Sequence, residues 1–331
     1  PTLGFVVDAY KRNKNFVPED YWIIDCSIKK NTQTYQLKWK RKRLFCKLSC
    51  FAIYSSLFIT EPKAIVKSVD EVPKSKWKPL PLATVELQKR ASQYLKINSR
   101  TAMDLAEKLY QQGLISYPRT ETDSFPDDFN YREIIENLTN FQDVAEYASN
   151  LRQNFVPPRK GRHSDNAHLP IYPLKVPESF KVAEEKKLYM FVVCHFLACC
   201  SKDAQGLETT VLFDVNSEEF KLKGMVVTER NWLDIYPYVK WEGVNIPRFQ
   251  QGETIPITLL KMNQKATIAP KMLTEPDLIA LMDREGIGTD ATIAEHIQTI
   301  QDRNYVKKQG GYFVPLPLGL ALVDGYENMG F

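Results

Sequence analysis

Tyr117 and Arg119 stand two residues apart in Gly113-Leu114-Ile115-Ser116-Tyr117-Pro118-Arg119-Thr120-Glu121-Thr122-Asp123, a polar, turn-rich run that follows a helical pattern. A phenol can act as a covalent nucleophile. Its ordinary pKa of about 10 keeps it protonated at neutral pH. A neighbouring guanidinium favours the phenolate and can grip a phosphate oxygen with two hydrogen bonds. The pair therefore suits attack on a phosphate ester. The same spacing also fits a structural tyrosine on a turn, and with 16 tyrosines in the chain such a neighbour can arise by chance.

A second kind of chemistry lies in how the cations are grouped. Lys38, Lys40, Arg41, Lys42, Arg43 and Lys47 fall within ten residues around Trp39, with no acid among them. Lys74, Lys76 and Lys78 flank Trp77, and Arg159, Lys160 and Arg162 follow Pro157-Pro158. Cations track phosphates and rings stack on bases, so basic residues interleaved with aromatics suit a single nucleic-acid strand. A solvated charged face accounts for any one cluster equally well. The overall balance of 44 basic against 40 acidic residues, net +4, is too small to name a partner.

Other chemistries are excluded by what the 331 residues lack. There is no GxxxxGK(S/T) phosphate loop, no GxSxG elbow, no HExxH and no dinucleotide fingerprint. Four histidines without ligand-like spacing argue against a metal centre built from this chain. Six cysteines without CxxC pairs read as buried thiols in a reducing compartment, Cys46 and Cys50 in one group and Cys194, Cys199 and Cys200 in another. No apolar run approaches the roughly 20 residues of a membrane span, and no secretory leader is visible. Both ends read as cut from something longer.

The elements that must position these residues alternate in type. Residues 1–17 read as the end of a helix. Trp22–Ile28 and Tyr35–Trp39 alternate like strands around the turn Lys30-Asn31-Thr32. Pro73–Pro81 reads as a linker or extended edge. Thr84 is expected to cap one helix, and Thr101 with Asp104 a second, which Gly113 ends. Glu184–Cys200 reads as a buried helix. Strand alternation returns at Thr209–Val215 and Phe220–Val227. Near the end, Thr274 with Asp277 opens a helix, and Gly288-Thr289-Asp290 caps another carrying Ile293, Ile297 and Ile300. Tyr305 to Val314 then reads as a hairpin, the order of a winged helix. A β-rich domain interrupted by an inserted helical one is the expected organisation.

The Tyr117 segment is similar to the active-site segment of the type IA DNA topoisomerases, Ile-Ser-Tyr-Pro-Arg-Thr-Glu-Thr. Pro1-Thr2-Leu3-Gly4, Ala167-His168-Leu169-Pro170-Ile171-Tyr172-Pro173 and Gly286-Ile287-Gly288-Thr289-Asp290-Ala291-Thr292 resemble further elements of that family, in family order across the whole chain. Lys38-Trp39-Lys40-Arg41, His195–Cys200, Asp203–Gly206 and Leu233–Tyr238 resemble its eukaryotic topoisomerase III alpha branch.

The resemblance implies an α+β multidomain chain: a padlock-shaped core with a β-rich arch, an inserted helical domain carrying the nucleophile, and a winged-helix-like DNA-gripping region. It implies that Tyr117 forms a 5′-phosphotyrosyl link to a DNA strand, that Arg119 stabilises the phosphate and that His168 positions it. Gly288, Thr289 and Thr292 would hold a strand phosphate, and Lys40, Arg41 and Arg43 would bind the strand. The implied division is 1–17 with 272–331 for the gripping region, 18–78 with 208–271 for the arch, and 79–207 for the inserted domain. Magnesium would belong to an acidic toprim domain before Pro1, leaving this chain alone inactive. Implied partners are single-stranded DNA, a RecQ-family helicase and an OB-fold protein, in the nucleus and with no membrane. Leu169 and Tyr172 depart from the family's Pro and second His, and the loss of a near-neutral titrating group at Tyr172 puts fine positioning in question. A non-catalytic single-strand-binding scaffold of the same fold is the alternative.

Overall fold

The computed structural model describes residues 1–165, 167–290 and 292–330. Ala291 of the Gly286–Thr292 element and the last residue of the 272–331 range therefore lie outside the described residues. Helix α1 (Thr2–Lys14) leads into strands β1 (Asp20–Lys30) and β2 (Gln33–Trp39). Asn31 and Thr32 between them both take positive φ, +51° and +67°, the twist that a two-residue hairpin turn requires. Helix α2 (Lys47–Ser56) and strand β3 (Lys63–Lys76) follow.

The helical block comprises α3 (Thr84–Arg90), extended by a wide π-type turn at Ala91–Leu95, then α4 (Ser99–Gln111), α5 (Tyr131–Leu138), α6 (Ala145–Gln153) and α7 (Ala183–Cys199). Strands β4 (Ala204–Val215), β5 (Glu218–Glu229) and β6 (Thr254–Ala266) complete a closed barrel in the order β1-β2-β5-β4-β3-β6. The alternation read from sequence has one physical cause here. Inward residues Ile24, Cys26, Ile28, Leu37, Val66, Val211, Phe213, Phe220 and Ile255 fill the barrel, and outward ones meet water.

The helical block leaves and re-enters the barrel through one ribbon. Strand β3 pairs antiparallel with β4 from Ile65↔Asp214 to Lys76↔Ala204, so residues 77 and 203 lie side by side. The Pro73–Pro81 stretch is therefore strand as far as Lys76, and Pro73 pairs opposite Leu207. Proline is tolerated there because β3 meets β6 only over Lys63–Ile65 and is an edge beyond it.

Three apolar clusters form. The helices bury Leu87, Leu105, Leu109, Phe191, Val192 and Leu197 together with Trp232, Leu233 and Tyr236, which follow β5. The third cluster joins Leu3, Val6 and Val7 of α1 to α8 (Glu275–Arg284), α9 (Ile293–Asp302) and the hairpin β7 (Val306–Gln309) with β8 (Tyr312–Pro315). Helix α10 (Pro317–Asn328) ends the chain. Thr274 and Asp277 make the reciprocal capping box at α8. Glu275, 3% exposed, accepts from the Ser99 backbone N–H at 2.9 Å, the Ser99 hydroxyl at 2.6 Å, the Ser92 hydroxyl at 3.2 Å and the Lys308 amine at 2.5 Å. It ties the helical block to the C-terminal region.

Local expectations fail at five places. The cap of α4 is Asn98, whose Oδ1 accepts from Thr101 N at 2.8 Å, because the left-handed Lys96 (φ +61°) ends the preceding helix close by. Thr84 is the first residue of α3, and its hydroxyl turns away from the cap role to hold another loop. The cap of α9 is Thr292, four residues after Gly288. Helix α2 escaped the pattern because apolar residues surround it: Leu48 and Phe51 face outward while Cys50 is buried. Cys46, before α2, is exposed rather than buried, and hydrogen bonds from the side chain and backbone of Ser49 hold its thiol below the ordinary range.

Replacing Asn98 by Ala should cost about 1 kcal/mol of stability, and Thr101→Ala should stay within about 0.5 kcal/mol. Urea titration followed by far-UV circular dichroism measures both. A loss at Thr101 with none at Asn98 would return the cap to Thr101.

Candidate active site

Helix α4 ends at Gly113, whose φ of +68° is open to glycine and strained for other residues. The chain then runs extended through Leu114–Tyr117. Residues 170–174 come alongside it. Ile115 bridges Pro173, Ser116 N donates to Tyr172 O at 3.0 Å, and Leu174 N donates to Leu114 O at 2.8 Å. The Ser116 hydroxyl donates to Pro170 O at 2.9 Å and accepts from Tyr172 N at 3.0 Å. This pairing sets the His168 ring against the Tyr117 ring, with centroids 4.8 Å apart. Tyr110 of α4 meets Tyr117 edge-on at 5.3 Å.

The far side of the Tyr117 loop is clamped to α3. Buried Thr84 donates from its hydroxyl to Pro118 O at 2.6 Å and accepts from Thr120 N at 2.7 Å. Arg119 between those two anchors reaches Glu107 of α4, with Nε 2.7 Å from Oε1. That hydrogen bond raises the Arg119 pKa, burial opposes the rise, and the charges of Glu107, Tyr117 and Glu295 add to it. Arg119 is thus a fixed cation beside the phenol. Glu295 lies on α9 and also pairs with Arg100 at 3.3 Å.

His168 is held by a residue that the sequence reading passed over. Asp165 Oδ2 is 3.1 Å from His168 Nδ1, and Oδ1 accepts from the N–H groups of Ala167 at 2.9 Å and His168 at 2.8 Å. The hydroxyls of Thr122 and Thr120 reach the same carboxylate at 3.1 and 3.4 Å. Burial opposes ionisation, but these hydrogen bonds outweigh it and hold the carboxyl well below the usual carboxylate range. The ionised carboxylate accepts from Nδ1–H and leaves Nε2 for other chemistry. Asp165 also links Thr120–Thr122, just after Arg119, to His168. The signal available in the sequence was an Asp three residues before the His, the geometry of a short carboxylate–imidazole turn.

Tyr172 takes no place beside Tyr117. Its ring packs against Phe125, Phe129 and Phe196, and burial raises its pKa. The lost imidazole at this position thus leaves an aromatic contact in the helical core.

The glycine turn before α9 comes to the same neighbourhood. Gly286, Gly288, Thr289, Asp290 and Ile293 line a cleft of about 640 Å³ with Thr120, Glu121, Asp123 and Arg159. Gly288 has φ +86°, and a Cβ there would lie 3.1 to 3.2 Å from Thr292, His296 and Ile293. The Thr292 hydroxyl accepts from Thr289 N at 2.9 Å, and Thr292 N and Ile293 N donate to Thr289 O. The turn therefore satisfies these groups internally. Gln88 of α3 donates to Asp290 O at 3.3 Å across the cleft wall.

Lys40, Arg41 and Arg43 sit elsewhere, on the barrel. Lys40 pairs with Glu219, Arg41 grips Glu218 through Nε and Nη2, and the Arg43 guanidinium lies 5.0 Å from the Tyr21 ring centre. Hydrogen bonds from Lys40 and Lys67 lower the Glu219 carboxyl to about 2. The sequence cluster without acids is thus opposed by two acids from β5. Among the described residues no group of three His, Cys, Asp or Glu is placed to hold a metal ion. No helix among them is long and apolar enough to cross a membrane.

A family model described as DNA topoisomerase matches residues 1–331. DNA topoisomerase 3-alpha of Homo sapiens is 46% identical over 333 residues, covering 100% of this chain and 33% of that protein. DNA topoisomerase 3 of Candidozyma auris is 45% identical over 334 residues, covering 99% of this chain and 52% of that protein. The chain thus spans about a third to a half of the length of these relatives. Full-length topoisomerase I from Thermotoga maritima shares the fold with a TM-score of 0.77 at 24% identity, over 99% of this chain and 54% of that one.

Because folding lowers the Asp165 pKa, its stabilising contribution is fully present above about pH 4 and is lost as pH falls towards the folded value. The urea midpoint of Asp165→Asn should therefore lie well below that of the wild type near pH 6, and the gap should narrow as pH falls towards about 3. A gap that stays constant with pH would contradict the ionised, hydrogen-bonded carboxylate.

Proposed function

The chain belongs to the type IA DNA topoisomerase family, and from that premise we propose that it carries the strand-cleaving half of a DNA topoisomerase, with Tyr117 as the nucleophile. The observation that carries this reading is the packing of the His168 ring against the Tyr117 ring by the 114–117 and 170–174 pairing, with Arg119 held alongside. The Tyr117 oxygen attacks a backbone phosphorus and loses its proton. A 5′-phosphotyrosyl bond forms, the bond to the 3′-oxygen breaks, and that oxygen takes up a proton. One phosphate ester replaces another, so the 3′-hydroxyl reverses the step without ATP, in keeping with a sequence that has no nucleotide-binding phosphate loop. Arg119 stabilises charge on the phosphate and on the phenolate. His168, oriented by Asp165, positions the phosphate.

The second strand passes through the break before resealing. That sequence relaxes negative supercoils and unlinks recombination intermediates in the nucleus, with a RecQ-family helicase and an OB-fold partner. Lys40 and Arg41 contact strand phosphates by exchanging their glutamate partners, Arg43 adds a third cation beside them, and Gly288, Thr289 and Thr292 shape the turn on which a strand phosphate rests. The three apolar clusters support a division into a gripping region (1–17 with 272–331), an arch (18–78 with 208–271) and an inserted domain (79–207). Trp232–Trp241 is a stretch of the arch that packs with the inserted domain. Magnesium is assigned to a toprim domain outside this chain, no step here runs through it, and the chain alone cleaves little or nothing.

The test joins this chain to such a toprim domain and mixes the protein with magnesium and 3′-labelled single-stranded DNA. After denaturation, label should remain on the protein, and Tyr117→Phe should abolish it. Strand binding without an adduct would favour a non-catalytic scaffold. In the same assay Arg119→Ala should lower cleavage by about 100-fold or more, while strand affinity changes by no more than a few fold. Unchanged cleavage would remove Arg119 from the reaction.

A further inference from the structure

Two of the basic clusters, about 80 residues apart in sequence, converge at the rim of the cleft. The Arg159 guanidinium carbon lies 5.2 Å from the centre of the Trp77 ring. Arg159 Nε donates to Lys78 O at 3.0 Å, and Nη2 shares that acceptor. The surroundings are built, not loose. Lys78 is 3% exposed, and its amine donates to Val156 O at 3.2 Å and Pro157 O at 2.8 Å. Its backbone N–H donates to Asp203 Oδ1 at 2.8 Å. On the other side Trp232 Nε1 donates to Lys76 O at 2.9 Å. Yet the indole held by this frame is 66% exposed.

The charge balance separates this place from the other clusters. Arg41, Arg100, Arg119 and Arg152 each pair with a glutamate, and Lys160 pairs with Asp127. Among the described residues no carboxylate pairs with Arg159. Its guanidinium is fixed instead by a neutral carbonyl, and it lines the cleft that also holds Thr120, Asp123, Gly288 and Thr289. A rigid cation and an open aromatic face on one cleft rim match the two halves of a nucleotide, phosphate and base.

We propose that Trp77 and Arg159 form a stacking subsite for one nucleotide of an unpaired strand that extends from the cleft, the base on the open face of Trp77 and the phosphate on Arg159. Stacking accepts any base, so the subsite grips a strand without reading its sequence. It rests on the reading of the cleft as a strand-binding site and adds to it a position remote from Tyr117.

The test uses this chain and a fluorescein-labelled single-stranded oligonucleotide about 20 nucleotides long, with binding followed by anisotropy across a salt series. Trp77→Ala should weaken binding about fivefold to 100-fold, and Trp77→Phe should recover most of it. An abasic oligonucleotide of the same length should bind the wild type more weakly, and Trp77→Ala should shrink that difference. Arg159→Ala should lower the salt slope by about 0.7. If the wild type binds the strand and Trp77→Ala leaves both the affinity and the abasic difference unchanged, the subsite is overturned while the cleft reading stands. If the wild type binds no strand, both fall. Should Trp77→Ala fail to fold, Trp77→Leu, which keeps apolar bulk without a stacking face, gives the same comparison.

Discussion

The site depends on one short backbone pairing, that of Leu114–Ser116 with Tyr172–Leu174. Tyr117 and His168 lie 51 positions apart in the chain; Tyr117 directly follows this pairing and His168 precedes its Tyr172 by four residues. Backbone hydrogen bonds need no particular side chain, so the pairing sets a register into which the reacting groups fall. Its inner residues, Leu114, Ile115 and Ile171, are buried in the helical core. The apolar core thus holds the scaffold, and the polar groups beside it inherit their geometry. Thr84 adds a further anchor, holding Pro118 and Thr120 on either side of Arg119.

Charge in this chain is arranged mainly by internal neutralisation. Glu107 orients Arg119, Asp165 orients His168, and Glu218 with Glu219 oppose the basic run that follows β2. A carboxylate beside a cation fixes its direction and lowers the cost of holding it partly out of water. Arg119 and the His168 ring beside the phenol are therefore ordered before any ligand arrives. Arg159 differs in being ordered by a carbonyl, and among the described residues no acid pairs with it.

The helical cluster and the C-terminal cluster are joined by polar contacts. Glu275 joins the α8 start to Ser92 and Ser99, Gln88 reaches Asp290, and Arg100 reaches Glu295. A buried carboxylate with four donors is costly to expose, because each donor and the charge itself must be solvated anew. Such contacts favour one defined arrangement of the helical block on the C-terminal region.

The sequence by itself determined four of the six barrel strands, the closing hairpin, most of the helices, the capping box of α8 and the turn at Asn31-Thr32, while β3 and β6 emerged only in the closed barrel. The elements so determined are set by periodicity or by local backbone preference. It also singled out Tyr117 and Arg119, because two residues of the right chemistry stood close in the chain. Only the tertiary structure decided which distant groups they would meet. Asp165, Glu107 and Thr84 became partners through packing of separate segments, which no local pattern encodes. It also decided that Tyr172 turns into the aromatic core, that two glutamates from β5 oppose Lys40 and Arg41, and that Trp77 meets Arg159. These outcomes depend on strand pairing and burial across long stretches of chain, and the free energy of such contacts appears only once the fold has closed.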